Sequence, residues 1–344
     1  MKTLLFTLGV ILLGCFSSLA QTEKPISQSG EEQAIRLQAN LINLNVKVTD
    51  AQARPLVDLK KEDFVIFEDG IEQDVAFFQP VNAPVNLVLL LDFSGSTREK
   101  RKILFKAAKK FVDALGKDDQ IAVAGFTRKY YLISDFTNDH NLLKKRIDDA
   151  DEISGGTAYY DALWKTLDLL MSKRDSRKAI VVLTDGVDSS LYKNRGSYSY
   201  LPTTHSFEEL LDRAEEEDAS IYPIYLNTLK PPSKGGGFIG KLLGFGKEMN
   251  AYRERAYNEE KMIYALAHQQ LEALAESTAG TLFTANREED LESVYEKVAA
   301  ELHLFYSLAY APKKGMGTGE FRKLAIKVHR ENAKPKTRKG YFAK

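Results

Sequence analysis

Cysteine, charge imbalance and long apolar runs are what this sequence lacks. Its single cysteine, Cys15, lies in the N-terminal segment. A chain cleaved after Ala20 would therefore have no disulfide, no thiolate metal site and no cysteine nucleophile. Lys plus Arg and Asp plus Glu number 48 each, so no global field favours nucleic acid or an anionic membrane, and electrostatics must act locally. The five histidines (His140, His205, His268, His303, His329) show no HExxH or paired spacing. That removes the usual zinc signatures and reads as surface decoration. Beyond the N-terminal segment no run is apolar enough to span a bilayer, and no internal repeat is visible.

What is present is ordinary globular material, 44% hydrophobic and 28% charged, enough for a substantial core. Residues 1–20 read as a signal peptide: Lys2 supplies the positive charge, Leu4 to Leu13 a short apolar stretch, and Ser18-Leu19-Ala20 the small cleavage residues. A second export reading takes Leu12-Leu13-Gly14-Cys15 as a lipoprotein-type signal with a lipid anchor at Cys15. Either route predicts an exported chain, periplasmic or secreted. Residues 21–35 read as a flexible leader.

From Ile42 the pattern alternates, with Ile42, Leu44, Val46 and Val48 apolar and Asn43, Asn45 and Lys47 polar, the period of a half-buried strand. Two apolar stretches, Phe64 to Phe67 and Val75 to Phe78, flank Asp69-Gly70, a hairpin signal. Residues 36–80 are thus expected to form a small antiparallel β module, bounded by Pro80 and Pro84. Strands and helices then alternate over 84–305, which predicts an α/β domain with a doubly wound, mostly parallel sheet. Trp164 lies on one helical stripe with Leu167 and Met171 and reads as core. Ser206 with Glu209 marks a capping-box helix start. Residues 306–344 are expected to form a C-terminal β hairpin packing on the β module or the sheet edge. Two insertions, 191–204 and 231–259, interrupt the pattern. In the second, Gly235 to Leu242 meets most of a phosphate-loop pattern, but Leu242 stands where the magnesium-binding hydroxyl belongs and Pro231-Pro232 where a strand should lead in. A flexible loop is the expectation there.

Three separated segments carry the chemistry: Asp92-Phe93-Ser94-Gly95-Ser96, Gly155-Gly156-Thr157 and Leu183-Thr184-Asp185-Gly186. The first and third directly follow the apolar runs Asn86 to Leu91 and Ala179 to Leu183. In an open α/β sheet, ligand sites form beyond the carboxyl ends of such strands. Two carboxylates and three hydroxyls, without Cys or His, suit a hard divalent cation. Alone, Asp-x-Ser-x-Ser also occurs in turns, where short polar side chains cap backbone groups; the ordered combination of all three segments is the stronger signal.

The combination resembles the metal-ion-dependent adhesion site of the von Willebrand factor A domain, in order and separation, over residues 86 to about 305. The flanks, Val46 to Asp50 through Phe67 to Gly70 and the closing Arg338-Lys339-Gly340-Tyr341, resemble the acidobacterial-type von Willebrand factor A-related proteins, which are exported. The resemblance implies a Rossmann-like fold in which Ser94 and Ser96 bind Mg²⁺ (or Mn²⁺ or Ca²⁺) through their hydroxyls. Thr157 would bind directly or through water, and Asp92 and Asp185 through bridging water. It further implies a non-enzymatic adhesion module that captures an Asp or Glu carboxylate of a protein partner. Tyr159, Tyr160, Tyr192, Tyr198 and Tyr200 are candidate rim contacts, with loop solvation or core packing as the competing account. The alternative function is a hydrolase in which the same cation activates water; it needs a base, and Asp188 and Asp161 are the nearest extra acids.

Overall fold

Eight-residue apolar strands buried on both faces set this architecture. The computed structural model describes residues 41–150, 155–173, 177–192, 203–217, 219–231, 246–285, 287 and 289–343, and residues from Asn40 onward belong to one contact unit. The central sheet is built from β5 (Val85–Asp92), β6 (Gln120–Phe126), β7 (Tyr130–Thr137), β8 (Arg177–Thr184), β9 (Ala219–Leu226) and β10 (Phe283–Ala285), in the order β10-β9-β8-β5-β6-β7. All pairs are parallel except β6 with β7.

Strand alternation sends Leu87, Leu89 and Leu91 to one face, with Ala179, Val181 and Leu183 of β8. There they pack on α1 (Arg101–Ala114), α2 (His140–Asp148) and α6 (Asp290–Leu302). Val88, Leu90, Ile180 and Val182 face the other way, onto α3 (Tyr159–Met171), α4 (Phe207–Glu216) and α5 (Gly246–Ser277). The two-faced burial explains why these strands read as continuous apolar runs rather than alternating ones. Ser206 caps α4 as its sequence implies, its hydroxyl accepting from the Glu209 amide while Glu209 accepts from the Ser206 amide.

Two smaller sheets flank this domain. One has the order β13-β1-β11-β4 and the other β14-β12-β2-β3. Their strands are β1 (Ile42–Thr49), β2 (Phe64–Glu68), β3 (Ile71–Gln73), β4 (Val75–Gln79), β11 (Phe305–Tyr310), β12 (Phe321–Val328), β13 (Lys334–Lys336) and β14 (Gly340–Phe342). They share one core of Leu44, Val46, Ile66, Tyr306, Leu308 and Tyr341, making a sandwich. Asp69-Gly70 forms a tight connection with positive φ at both residues, but between β2 and β3. The expected partner strand, Val75 to Phe78, is corrected: it lies in β4 and pairs with β11 in the other sheet. The expected C-terminal hairpin is corrected: β11 pairs with β1 and β4, whereas β12 pairs with β2 and β14. These two neighbours in sequence fall in different sheets because each finds its complementary partner at the other end of the chain.

The 231–259 segment is also corrected. Its residues from Gly246 onward belong to the 32-residue helix α5, which runs on to Ser277. The helix exposes Tyr252, Met262 and Leu266, so its early turns lack the clean apolar stripe that pattern reading needs. The Gly235 to Leu242 stretch lies outside the described residues. Among them, no helix is long and apolar enough to cross a membrane.

Candidate metal site at the switch point of the sheet

From β5 the chain winds toward β6 and β7; from β8 it winds the opposite way, toward β9 and β10. β5 and β8 are neighbours, so the crevice beyond their carboxyl ends is the topological switch point. Asp92 ends β5 and Asp185 follows β8, and both side chains are buried, each 1% exposed.

The first loop folds on itself. The Ser94 amide donates to Asp92 Oδ1 at 2.8 Å, and the Thr97 hydroxyl donates to the Asp92 carbonyl at 2.7 Å. These bonds close a turn that brings Ser94 Oγ within 3.0 Å of Ser96 Oγ. Ser96 in turn bonds the Asp185 side chain. From β8, Thr184 Oγ1 donates to Asp92 Oδ2 at 2.7 Å. Asp185 accepts from the Val187 amide at 3.1 Å and from Thr228 Oγ1 at 2.5 Å, and Thr228 Oγ1 lies 2.7 Å from the Tyr264 hydroxyl of α5.

The Gly155-Gly156-Thr157 loop joins the same place. Gly95 donates its amide to the Gly155 carbonyl at 3.0 Å, and Ser94 and Gly155 form a parallel bridge. Thr157 is held from the other side: its carbonyl accepts from the Ser189 amide at 3.1 Å, and its own amide donates to Ser189 Oγ at 3.3 Å. A side chain at Gly156 would put a Cβ 2.7 Å from Arg128 Nε, so the glycine lets Arg128 lie across the loop.

All of Asp92, Ser94, Ser96, Thr157 and Asp185 therefore belong to one hydrogen-bonded set of loops. Burial raises the pKa of Asp92, and the nearby Asp185 charge raises it further, against the opposing bonds from Ser94 and Thr184. Burial likewise raises Asp185. Two desolvated carboxylates held by neutral donors make a locally electronegative, oxygen-rich cluster. That donor chemistry fits a hard divalent cation. No group of three or more His, Cys, Asp or Glu able to share an ion occurs among the described residues; here hydroxyls take the place of further acids.

Two of the five rim tyrosines are corrected. Tyr159 and Tyr160 are buried in the core, because α3 begins at Tyr159 and its first turn packs against the sheet. Tyr159 meets Phe126 with ring centroids 5.9 Å apart, and the Tyr160 hydroxyl donates to Gln270 Oε1 at 2.7 Å. Tyr192 is partly buried against Val187, Tyr264 and Ala267. Tyr198 and Tyr200 lie outside the described residues.

The extra acids are committed to structure. Asp188 is fully buried and accepts from the amides of Tyr160 at 3.2 Å and Ser190 at 2.7 Å. Asp161 accepts from the amides of Thr204 and His205 and lies 2.8 Å from His205 Nδ1. His205 therefore does more than decorate the surface, since it also stacks on Trp164 at 3.9 Å. Thr228 and Tyr264 escaped sequence reading. Their only signal was a hydroxyl two residues beyond the β9 strand, with no motif around it.

No curated protein matches the chain. Among solved structures, an aerotolerance-related membrane protein from Bacteroides fragilis NCTC 9343 aligns at 13% identity with a TM-score of 0.42, covering 63% of this chain and 98% of that one. The vWF domain of the type V pili tip protein Mfa5 from Porphyromonas gingivalis aligns at 14% identity with a TM-score of 0.43, covering 64% and 96%. The pilus adhesin SpaC from Lactobacillus rhamnosus GG, in its open conformation, aligns at 12% identity with a TM-score of 0.45, covering 81% and 39%. The family model described as von Willebrand factor type A domain matches residues 87–187, a span that contains all five candidate ligands. The chain carries a von Willebrand factor type A domain.

Proposed function

We propose that this protein is an exported, non-enzymatic binding module that captures a carboxylate of a protein partner at a divalent cation, Mg²⁺ before Mn²⁺ or Ca²⁺. The observation that carries the reading is the buried Asp92–Asp185 pair joined to Ser94 and Ser96 at the switch point. Ser94, Ser96 and Thr157 would hold the ion through hydroxyls, while Asp92 and Asp185 supply the compensating negative charge. Bound there, the cation would offer a Lewis-acidic position to an incoming Asp or Glu side chain. The chain's own contribution is orientation: Thr184 and Thr228 fix the two carboxylates, and Gly155 ties the Thr157 loop to Ser94. Hydrolysis is less well supported, because Asp188 and Asp161 are both occupied by backbone amides.

Calorimetric titration with MgCl₂ tests the ion site. Asp92→Ala is expected to abolish binding while the far-ultraviolet circular dichroism is retained. Equal Mg²⁺ affinity in the wild type and the variant would refute the site.

A further inference from the structure

A cavity of about 280 Å³ opens beside the Thr157 loop, lined by Arg128, Lys129, Ala158, Asp161, Trp164 and Lys165, among others. Ala158 is the residue after Thr157, so the cavity borders the loop that carries this candidate ligand. Its wall is preorganised. Trp164 stacks on the His205 ring at 3.9 Å, and the Arg213 guanidinium lies 4.9 Å from its ring centroid. His205 is held in turn by Asp161. The indole is thus already engaged, and the charged side chains are what remains to recognise a guest.

The lining carries both signs, three cationic side chains against two carboxylates, and its uncommitted charge is positive. Two carboxylates line the cavity, but Asp161 is bound by the Thr204 and His205 amides, and Asp168 accepts from Arg213 at 2.7 Å. Lys129 and Lys165 are exposed and have no carboxylate partner among the described residues. Arg128 leans in from the same turn, over Gly156. On a chain of zero net charge, this cationic mouth against an acidic ion pocket is a local asymmetry that steers anionic groups.

We infer that the cavity is a second subsite of the same binding face and takes a further carboxylate of the partner, so that the captured segment is an acidic stretch of polypeptide carrying at least two acids. The inference rests on the cation-capture reading: the first acid reaches the ion, and the second reaches Lys129 and Lys165. A segment with only one acid would use half of the face.

The test is fluorescence anisotropy with two labelled peptides, identical except that one carries a single glutamate and the other two, in Mg²⁺ and in chelator. The wild type should bind the doubly acidic probe more tightly. Lys129→Glu with Lys165→Glu should weaken that probe roughly tenfold or more and leave the single-glutamate probe unchanged. Added salt should narrow the gap between the probes. Both substitutions are on exposed residues, and circular dichroism would report any loss of fold. An equal loss for both probes, or no loss, overturns the second subsite. So does tight binding of a labelled oligonucleotide that the same variant abolishes, which would make the mouth a polyanion site. Binding of the single-glutamate probe that ignores chelator would instead overturn cation capture, and no binding of either probe would overturn both.

Discussion

Breaking the Glu68–Arg322 pair should show how much of the sandwich depends on one buried charge. Glu68 is 1% exposed and Arg322 2%. Arg322 Nη1 donates to Glu68 Oε1 at 2.9 Å, while the hydroxyls of Tyr310 and Tyr341 donate to Oε2 at 2.5 and 2.9 Å. These four residues come from β2, β12, β11 and β14, so the cluster spans both sheets. Arg322 also donates to the carbonyls of Lys314 and Gly315, tying down the loop before β12. In Arg322→Met, Glu68 keeps its phenol donors but loses its counter-charge inside an apolar core. Leaving one partner of such a pair uncompensated costs about 3–5 kcal/mol. Glu68→Met strands the guanidinium and two phenols and should cost a similar amount. The double substitution removes both charges, so its cost should fall well short of the sum, with a coupling of about 2 kcal/mol or more. Urea denaturation followed by circular dichroism measures all four corners of the cycle. Additive single effects, or singles each below about 1 kcal/mol, would refute the claim that the pair is held as a unit.

Two further outcomes follow from geometry. His303 faces acceptors at both ring nitrogens, the Ala299 carbonyl at 3.1 Å and Asp119 Oδ2 at 3.0 Å, which favours the imidazolium. The hydrogen bond to Asp119 raises the His303 pKa, so its stabilisation is full below about 6.5 and is lost as pH rises through the elevated folded value. His303→Gln should flatten the dependence of the urea midpoint on pH above neutrality, and an unchanged profile would remove this account. In Gly125→Ala the new Cβ would fall 1.9 Å from Phe93 Cε2, and Phe93 is the residue between Asp92 and Ser94. Overpacking of about 1–3 kcal/mol should accompany weaker Mg²⁺ binding by calorimetry; wild-type stability and affinity together would show that the ring moves aside freely.

The sheet was legible because β5, β8 and β9 are buried on both faces and therefore leave unbroken apolar runs in the sequence. Asp92 and Asp185 stand out for a related reason: a carboxylate at the end of such a run is drawn below the surface and needs partners of its own, which Thr184 and Thr228 provide. Tyr159 and Tyr160 read as rim residues because Gly155 and Gly156 mark a loop, yet α3 starts only two residues after Thr157 and turns Tyr159 inward at once. His205 and His303 looked idle since their acids, Asp161 and Asp119, lie 44 and 184 residues away. Distance hid the sandwich pairing too. No local pattern tells β11 and β12 that they belong to opposite sheets, since Glu68, Tyr310 and Arg322 meet only once the chain has closed.

That closure has a consequence for how the protein is made. The earliest strands to emerge from the ribosome, β1 and β2, complete their ladders only with β11 and β12, among the last. Most of the α/β core is drawn from residues up to α6, with Phe305 of β11 added later, so it can begin to condense during synthesis while β1 and β2 still lack β11 and β12. Nascent chains stalled after Leu302 should therefore hold a protease-resistant α/β domain and a cleavable N-terminal flank, the sandwich being finished only on release.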